Sequence, residues 1–389
     1  MISWEKKPAA ALALALALVL ALPGCQKPAP EEDAQKLPEA EEAAATDPTH
    51  IYEEVKKDFL IDAEVFGSPT GVIPKVYEGH CHAFTKEEID AFLEKIGDGI
   101  ASVDTDERTG GEHFYAGTCN SGAIFHEQYS EEKDIISMVF SYHKEKTERY
   151  DRYPIYINQG DYDNNSGQRL AYLFEEPEDL SFQTSAEAEA EVREALAALG
   201  MEDLVLNRTL YLSHDRLIQA GEVLQGEDWG SSAGKGGVAY SLIDDWSEQD
   251  DCYMFEFFSG IDGIPLTYHS WKKEAISYCG NEITVWYNAE GIVSLQIAFP
   301  WMPDEVVEEP EQVLSAGEAL EIARGKLSNV VTGEETVLTK AMLQYFYIQD
   351  RDRWLLRPVW EFSIRRPSLW GDGYMFDYVL VDAVTGEEI

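Results

Sequence analysis

The chain has 389 residues, with 73 acidic side chains against 30 basic ones and a formal net charge of −43. That balance argues against a nucleic-acid partner, because phosphate contact needs clustered Lys and Arg, and against attraction to anionic lipid headgroups. Hydrophobic residues make up 44% and aromatics 12%, so the charge does not imply disorder, and the length suits two or three domains.

The first element is an export signal. Lys6 and Lys7 form a short basic region, and Ala9 to Ala21 is an unbroken apolar run. The run is too short for a bilayer span, which needs about 20 residues, but it suits a signal peptide. Leu22-Pro23-Gly24-Cys25 then resembles the lipobox of bacterial lipoproteins. Glu5 and Pro23 depart from the usual pattern. The resemblance implies that residues 1–24 are removed and that Cys25 carries a diacylglycerol thioether and acyl chains such as palmitate. At about 0.8 kcal/mol per buried methylene, such chains hold a protein on the membrane. Residues 25–49 are rich in Pro, Ala and Glu and read as a disordered acidic tether.

Beyond the tether, three helices announce themselves by capping boxes followed by a one-sided apolar stripe. They begin at Thr85…Glu88, Thr184…Glu187 and Ser315…Glu318. Gly97 and Gly200 stop the first two. Between these two, "DIISMVFSYHKEK" reads as a helix, and "YPIYIN" and "RLAYLFEE" as strands. Strand-like runs follow the second helix: "LVLNRTLYLS", "CYMFEFF", "GIPLTYHSW", and "EITVWYN" joined to "IVSLQIAF" by a short turn at Ala289-Glu290-Gly291. After the third come "AMLQYFYI", "LLRPVWEFSI" and "YMFDYVLVDA". Helix followed by antiparallel strands, twice over, predicts an α+β fold with helices packed on each sheet. The expected domains are 50–180, 181–308 and 309–389.

Four cysteines remain after Cys25: Cys81, Cys119, Cys252 and Cys279. An exported chain with an even count permits disulfides, and three pairings are possible. Cys81–Cys119 and Cys252–Cys279 are favoured because each pair lies within one expected domain; buried thiols are the alternative.

Motifs for chemistry are sparse. His80-Cys81-His82 could place two imidazoles on one face of a strand, with His113 as a third ligand, but exposed histidines beside a structural cysteine are the stronger reading. Asp161-Tyr162-Asp163-Asn164-Asn165 starts like a calcium loop, yet Ser166 and Tyr172 stand where Gly and Glu are required. Gly230 to Gly236 mimics a phosphate loop but is one residue short and lacks Ser or Thr after Lys235. It reads instead as a loop with Trp229 as a recognition residue. His126-Glu127 lacks a second histidine, and no G-x-S-x-G elbow occurs. No catalytic residue, metal site or cofactor is expected.

The C-terminal stretch from Val313 resembles a PepSY-type domain, in "LSAGEALEIARGKL", "RPVWEFSI" and "YVLVDAVTGEEI". With "GIP" and "ITVWYNAEGIV" upstream, the chain resembles the YycH/YycI group of membrane-anchored extracytoplasmic regulators. It departs from that group in lacking a transmembrane helix. The resemblance implies two or three PepSY-like units and a binding or regulatory role.

The sequence thus points to a lipid-anchored, extracytoplasmic, non-catalytic module for a protein or peptide partner, with Trp229, Trp354 and Trp370 as candidate contacts. A surface solute- or calcium-binding protein is the alternative, and an envelope hydrolase the third.

Overall fold

The computed structural model describes residues 49–389 except 110–111, 133–134, 145–152, 154–169, 227–242, 244, 267–269, 273–274, 278–280, 331–334, 352 and 368–373. Four α-helices form among the described residues: α1 (Lys86–Lys95), α2 (Ser185–Ala197), α3 (His214–Gly226) and α4 (Ala316–Val330). No helix among the described residues is long and apolar enough to cross a membrane.

The rest is mostly strand. One sheet has seven strands: β1 (His50–Lys56), β2 (Phe59–Phe66), β3 (Val76–Cys81), β15 (Trp301–Glu308), β16 (Thr336–Asp350), β17 (Arg353–Pro367) and β18 (Tyr374–Asp382). Its order is β1-β2-β16-β17-β3-β15, with β18 also on β17. The pair β2–β16 is parallel; the others are antiparallel.

The other large sheet has nine strands. They are β4 (Ile100–Thr109), β5 (Glu112–Cys119), β6 (Ile124–Glu132), β7 (Ile135–His143), β8 (Leu204–Leu212), β9 (Cys252–Ile261), β10 (Ile264–Pro265), β13 (Glu282–Asn288) and β14 (Gly291–Ala298). The order is β10-β9-β13-β14-β7-β6-β5-β4, with β8 also on β9. A two-stranded ribbon, β11 (Ser270–Lys272) and β12 (Ala275–Ser277), completes the set.

This corrects the α+β expectation. PepSY-like units of one helix on its own strands are not what forms. The fold is two large, mainly antiparallel sheets built from distant parts of the chain. The C-terminal strands β16 and β17 do not close a sheet by themselves; they pair with β2 and β3. Strands from 50–180, 181–308 and 309–389 therefore share sheets, and Thr46–Ile389 is one compact unit.

Each capping box does what its residues dictate. Thr85, Thr184 and Ser315 accept from the backbone N–H groups of Glu88, Glu187 and Glu318, whose carboxylates accept from the caps in return. Gly97 and Gly200 follow the first two helices with φ of 76° and 78°, conformations that L side chains resist. The stripes Ile89-Phe92-Leu93, Val192-Leu196 and Leu320-Ala323 enter one shared core. Sheet residues Phe140, Tyr142, Phe255, Trp360 and Phe362 meet them there. Burying each of the larger side chains contributes on the order of 2 kcal/mol.

A second, smaller core lies on the opposite face of β8 and β9. Leu210, Leu212, Cys252 and Met254 pack there with Leu217 and Ala220 of α3 and with Trp246. Strand β9 is thus covered on both faces, which explains its almost unbroken apolar sequence.

Strand β7 replaces the helix expected over "DIISMVFSYHKEK". Met138, Phe140 and Tyr142 are buried, and Val139, Ser141 and His143 between them are half-buried. That period of two, carried by aromatic and branched residues, satisfies a sheet face and not a helix stripe. "RLAYLFEE", expected as a strand, contains a short 3-10 turn at Ala171–Leu173. Of "YPIYIN", expected as a strand, only Tyr153 is described; it is buried in the smaller core, stacked on Trp246 and Trp286.

The disulfide expectation is also corrected. No disulfide forms among the described residues: Cys81, Cys119 and Cys252 are buried thiols. Cys81 is on β3 of the seven-stranded sheet, opposite Trp301, whereas Cys119 ends β5 of the nine-stranded sheet, opposite Ile100. Each is absorbed as a small apolar group in a packed interior. Cys279 lies outside the described residues.

Candidate functional site

Leu266 makes a parallel bridge to Tyr345, and through this pair the edge of β16 continues from β2 to the β9–β10 hairpin. The two sheets meet there. Along β16, Ala341, Leu343 and Tyr345 enter the shared core, so Lys340, Met342 and Gln344 alternate onto the other face. Along β17, Trp360, Phe362 and Ile364 enter the core, leaving Glu361 and Ser363 on that same other face. Strand β9 sends Tyr253, Phe255 and Phe257 into the core and turns Glu256 away.

The faces turned away from the core enclose a cleft of about 370 Å³. Arg208, Glu256 and Glu282 line it from the nine-stranded sheet, with Phe257 and Phe258. Lys340, Met342, Gln344, Glu361, Ser363 and Tyr378 line it from the seven-stranded sheet. The size lies within the range of small-ligand sites.

Its charged groups are arranged by register. Arg208 stands directly opposite Glu256 and grips it at two points, Nε to Oε2 at 2.5 Å and Nη2 to Oε1 at 2.6 Å. Glu361 is 5% exposed and accepts from the Gln344 amide and, at 3.4 Å, from the Ser363 hydroxyl. Burial pushes its carboxyl above the usual range, despite those bonds and the nearby Lys340. Burial also lowers Lys340, which lies 5.2 Å from the centre of the Phe66 ring. Glu282 is raised by burial first and by the Glu256 charge second, and the Thr284 hydroxyl donates to it at 3.3 Å. Three titratable groups with shifted affinity for a proton therefore share one concavity.

None of the described residues singled out from sequence lines the cleft. Cys25, Trp229, Trp370, Asp161 to Asn165 and Gly230 to Gly236 lie outside the described residues. Trp354 is half-buried against Trp301 and Tyr347, with ring centres 5.2 and 6.0 Å away, so it serves the core. His80 bonds Asp304 at 2.8 Å and His82 bonds Glu88 at 3.1 Å, each using its own carboxylate. His113 packs on Tyr129 in the other sheet. Among the described residues no group of three or more His, Cys, Asp or Glu is placed to hold a metal ion.

Sequence reading missed Arg208, Glu256, Glu282, Lys340 and Glu361. A signal existed for two of them. Glu256 in "MFEFF" and Glu361 in "VWEFS" are lone carboxylates inside aromatic strands. A charge in such a strand needs a partner or a purpose.

No family model matches the chain, and no curated protein does. Among solved structures it is similar to an uncharacterized protein from Eubacterium rectale ATCC 33656. The TM-score is 0.60 at 17% identity, over 88% of this chain and 93% of that one. The likeness shows a shared fold across nearly the whole described body.

Proposed function

We propose that this chain is an exported, lipid-anchored binding module, held at the membrane through Cys25 and non-catalytic. Its partner places a small polar group, or the side chain of a peptide, in the cleft between the sheets. The observation that carries the reading is the cleft itself, where Arg208, Glu256, Glu282, Lys340 and Glu361 converge in a concavity of about 370 Å³. Charged groups are costly to bury, and a fold that draws five to one cavity has a use for them there. The anchoring part rests on the apolar run and Leu22-Pro23-Gly24-Cys25.

Two experiments test it. Labelling cells with a palmitate analogue should mark the protein, and Cys25→Ala should abolish the label; a label that survives the substitution overturns the anchor. For the cleft, a photo-crosslinking amino acid replaces Tyr378, which lines the cavity and is 43% exposed. Cross-links in intact envelopes should disappear when Ser363→Trp fills the cavity. Cross-links insensitive to Ser363→Trp would remove the cleft from the function. Recovery of a chemically altered ligand would make the protein an enzyme.

A further inference from the structure

We propose that the cleft receives an alkylammonium group, from a lysine side chain or a small organic amine, with Glu282 as its ion-pair acceptor. This rests on the cleft being the binding site. Three carboxylates, Glu256, Glu282 and Glu361, share the cavity with two cations, Arg208 and Lys340. Their existing contacts show which carboxylate is left over. Arg208 is committed at two points to Glu256. Glu361 accepts from Gln344 and Ser363. Glu282 has one hydroxyl, that of Thr284, and no cation within ion-pair distance among the described residues. Lys340 is held over Phe66, near Glu64 and Glu361, and makes no ion pair with Glu282.

A ligand that brings one positive charge gives Glu282 the cation it lacks. Burial and Glu256 disfavour the ionised form of Glu282, the Arg208 charge beyond ion-pair distance offsets them only in part, and an ammonium in direct contact favours it. Phe258 and Met342 in the same wall suit a methylene stem. The net charge of −43 draws cations toward the surface over long range. A divalent metal is disfavoured, because no three metal-ligating groups converge among the described residues.

Isothermal titration of the mature protein tests this with 1,5-diaminopentane, 1,5-pentanediol, glutarate, and the tripeptide Ala-Lys-Ala in free and Nζ-acetylated forms. The diamine or the unmodified tripeptide should bind; the diol, glutarate and acetylated peptide should not. Preference between those two separates a solute from a peptide as the source of the ammonium. Glu282→Gln should weaken binding at least tenfold at an unchanged melting temperature. Glu311→Gln, an equal loss of charge at an exposed site, should leave binding within twofold. Equal weakening by the two variants, or no binding by either amine, would overturn the assignment. Binding of glutarate or the diol that Ser363→Trp abolishes would overturn the ammonium while leaving the cleft as the site. Diamine binding that ignores Ser363→Trp would overturn both.

Discussion

Arg208 and Glu256 are cross-strand neighbours on β8 and β9, joined by two parallel hydrogen bonds of 2.5 and 2.6 Å. The carboxylate is 7% exposed, whereas the Arg208 side chain keeps about a quarter of its surface in water. Removing the arginine takes the bidentate cation from a nearly buried carboxylate, which keeps the weaker Asn207 amide bond at 3.4 Å. Arg208→Met should therefore cost roughly 2–3 kcal/mol, less than a fully buried pair because Arg208 is partly solvated. The double variant Arg208→Met/Glu256→Leu should recover most of that loss, since no charge is then stranded. Urea denaturation of the two variants against the parent measures both values. A double variant no more stable than Arg208→Met would show that the pair itself, and not the stranded carboxylate, sets the cost.

Glu361 makes a prediction with a definite sign. Its folded-state affinity for a proton is raised, chiefly by burial. Its contribution to stability is complete below the ordinary glutamate range and is lost as pH rises through the higher folded value. Above about pH 4.3 the unfolded chain gives up this proton while the native state retains it, which favours unfolding. Glu361→Gln removes that titration and can still accept from Gln344. The variant should gain stability relative to the parent as pH rises from 4 to 7, and the gap should close at pH 4. Melting temperatures at half-unit intervals test it; a difference that stays constant with pH would mean that Glu361 titrates normally.

The thiols give a third test. Burial pushes Cys119 up to about 12, and Cys252 is raised by the same cause. The thiolate is the reactive form, so neither should alkylate in the native protein at pH 8. Iodoacetamide added to the folded chain should leave the peptides bearing Cys81, Cys119 and Cys252 unmodified. The same reagent in 6 M guanidinium, with no reductant, should modify all three. A Cys81-to-Cys119 cross-linked peptide in the mass spectrum would restore the disulfide that sequence reading favoured.

What sequence could and could not show follows from the range of the interactions. α1, α2 and α4 carry their own start signals within four residues, so Thr85, Thr184 and Ser315 were legible. α3 was not. Ser213, in the capping position, gives its hydroxyl to Glu178, and the His214 N–H is met by Asp251, 37 residues away. No local pattern records a cap supplied from there. The sheets failed for the same reason. Strands β16 and β17 read correctly as strands, but their outer partners β2 and β3 lie more than 250 residues earlier. The cleft inherits that difficulty, because Glu282 and Glu361 reach it from different sheets, which meet at the Leu266–Tyr345 bridge. Lone carboxylates among aromatics were visible; which of them share a cavity is a property of strand order.

The last prediction concerns Gly117, in β5 within the meander that sequence reading did not resolve. A Cβ built there would collide with the Ser102 carbonyl oxygen of β4 and lie 2.8 Å from the Phe125 ring of β6. The register of β4 shifts on both sides of this contact, between Ile100 and Ser102 and between Val103 and Thr105. The irregular edge strand therefore closes over a position with no side chain. A backbone oxygen cannot move aside as a flexible side chain would, so Gly117→Ala should force the two strands apart. The expected cost is about 2–3 kcal/mol, the upper part of the overpacking range. Amide exchange should locate it, with protection falling across β4 and β5 and holding in β16 and β17, which lie in the other sheet. Unchanged stability in Gly117→Ala would mean that β4 does not pack against Gly117 as closely as these distances require.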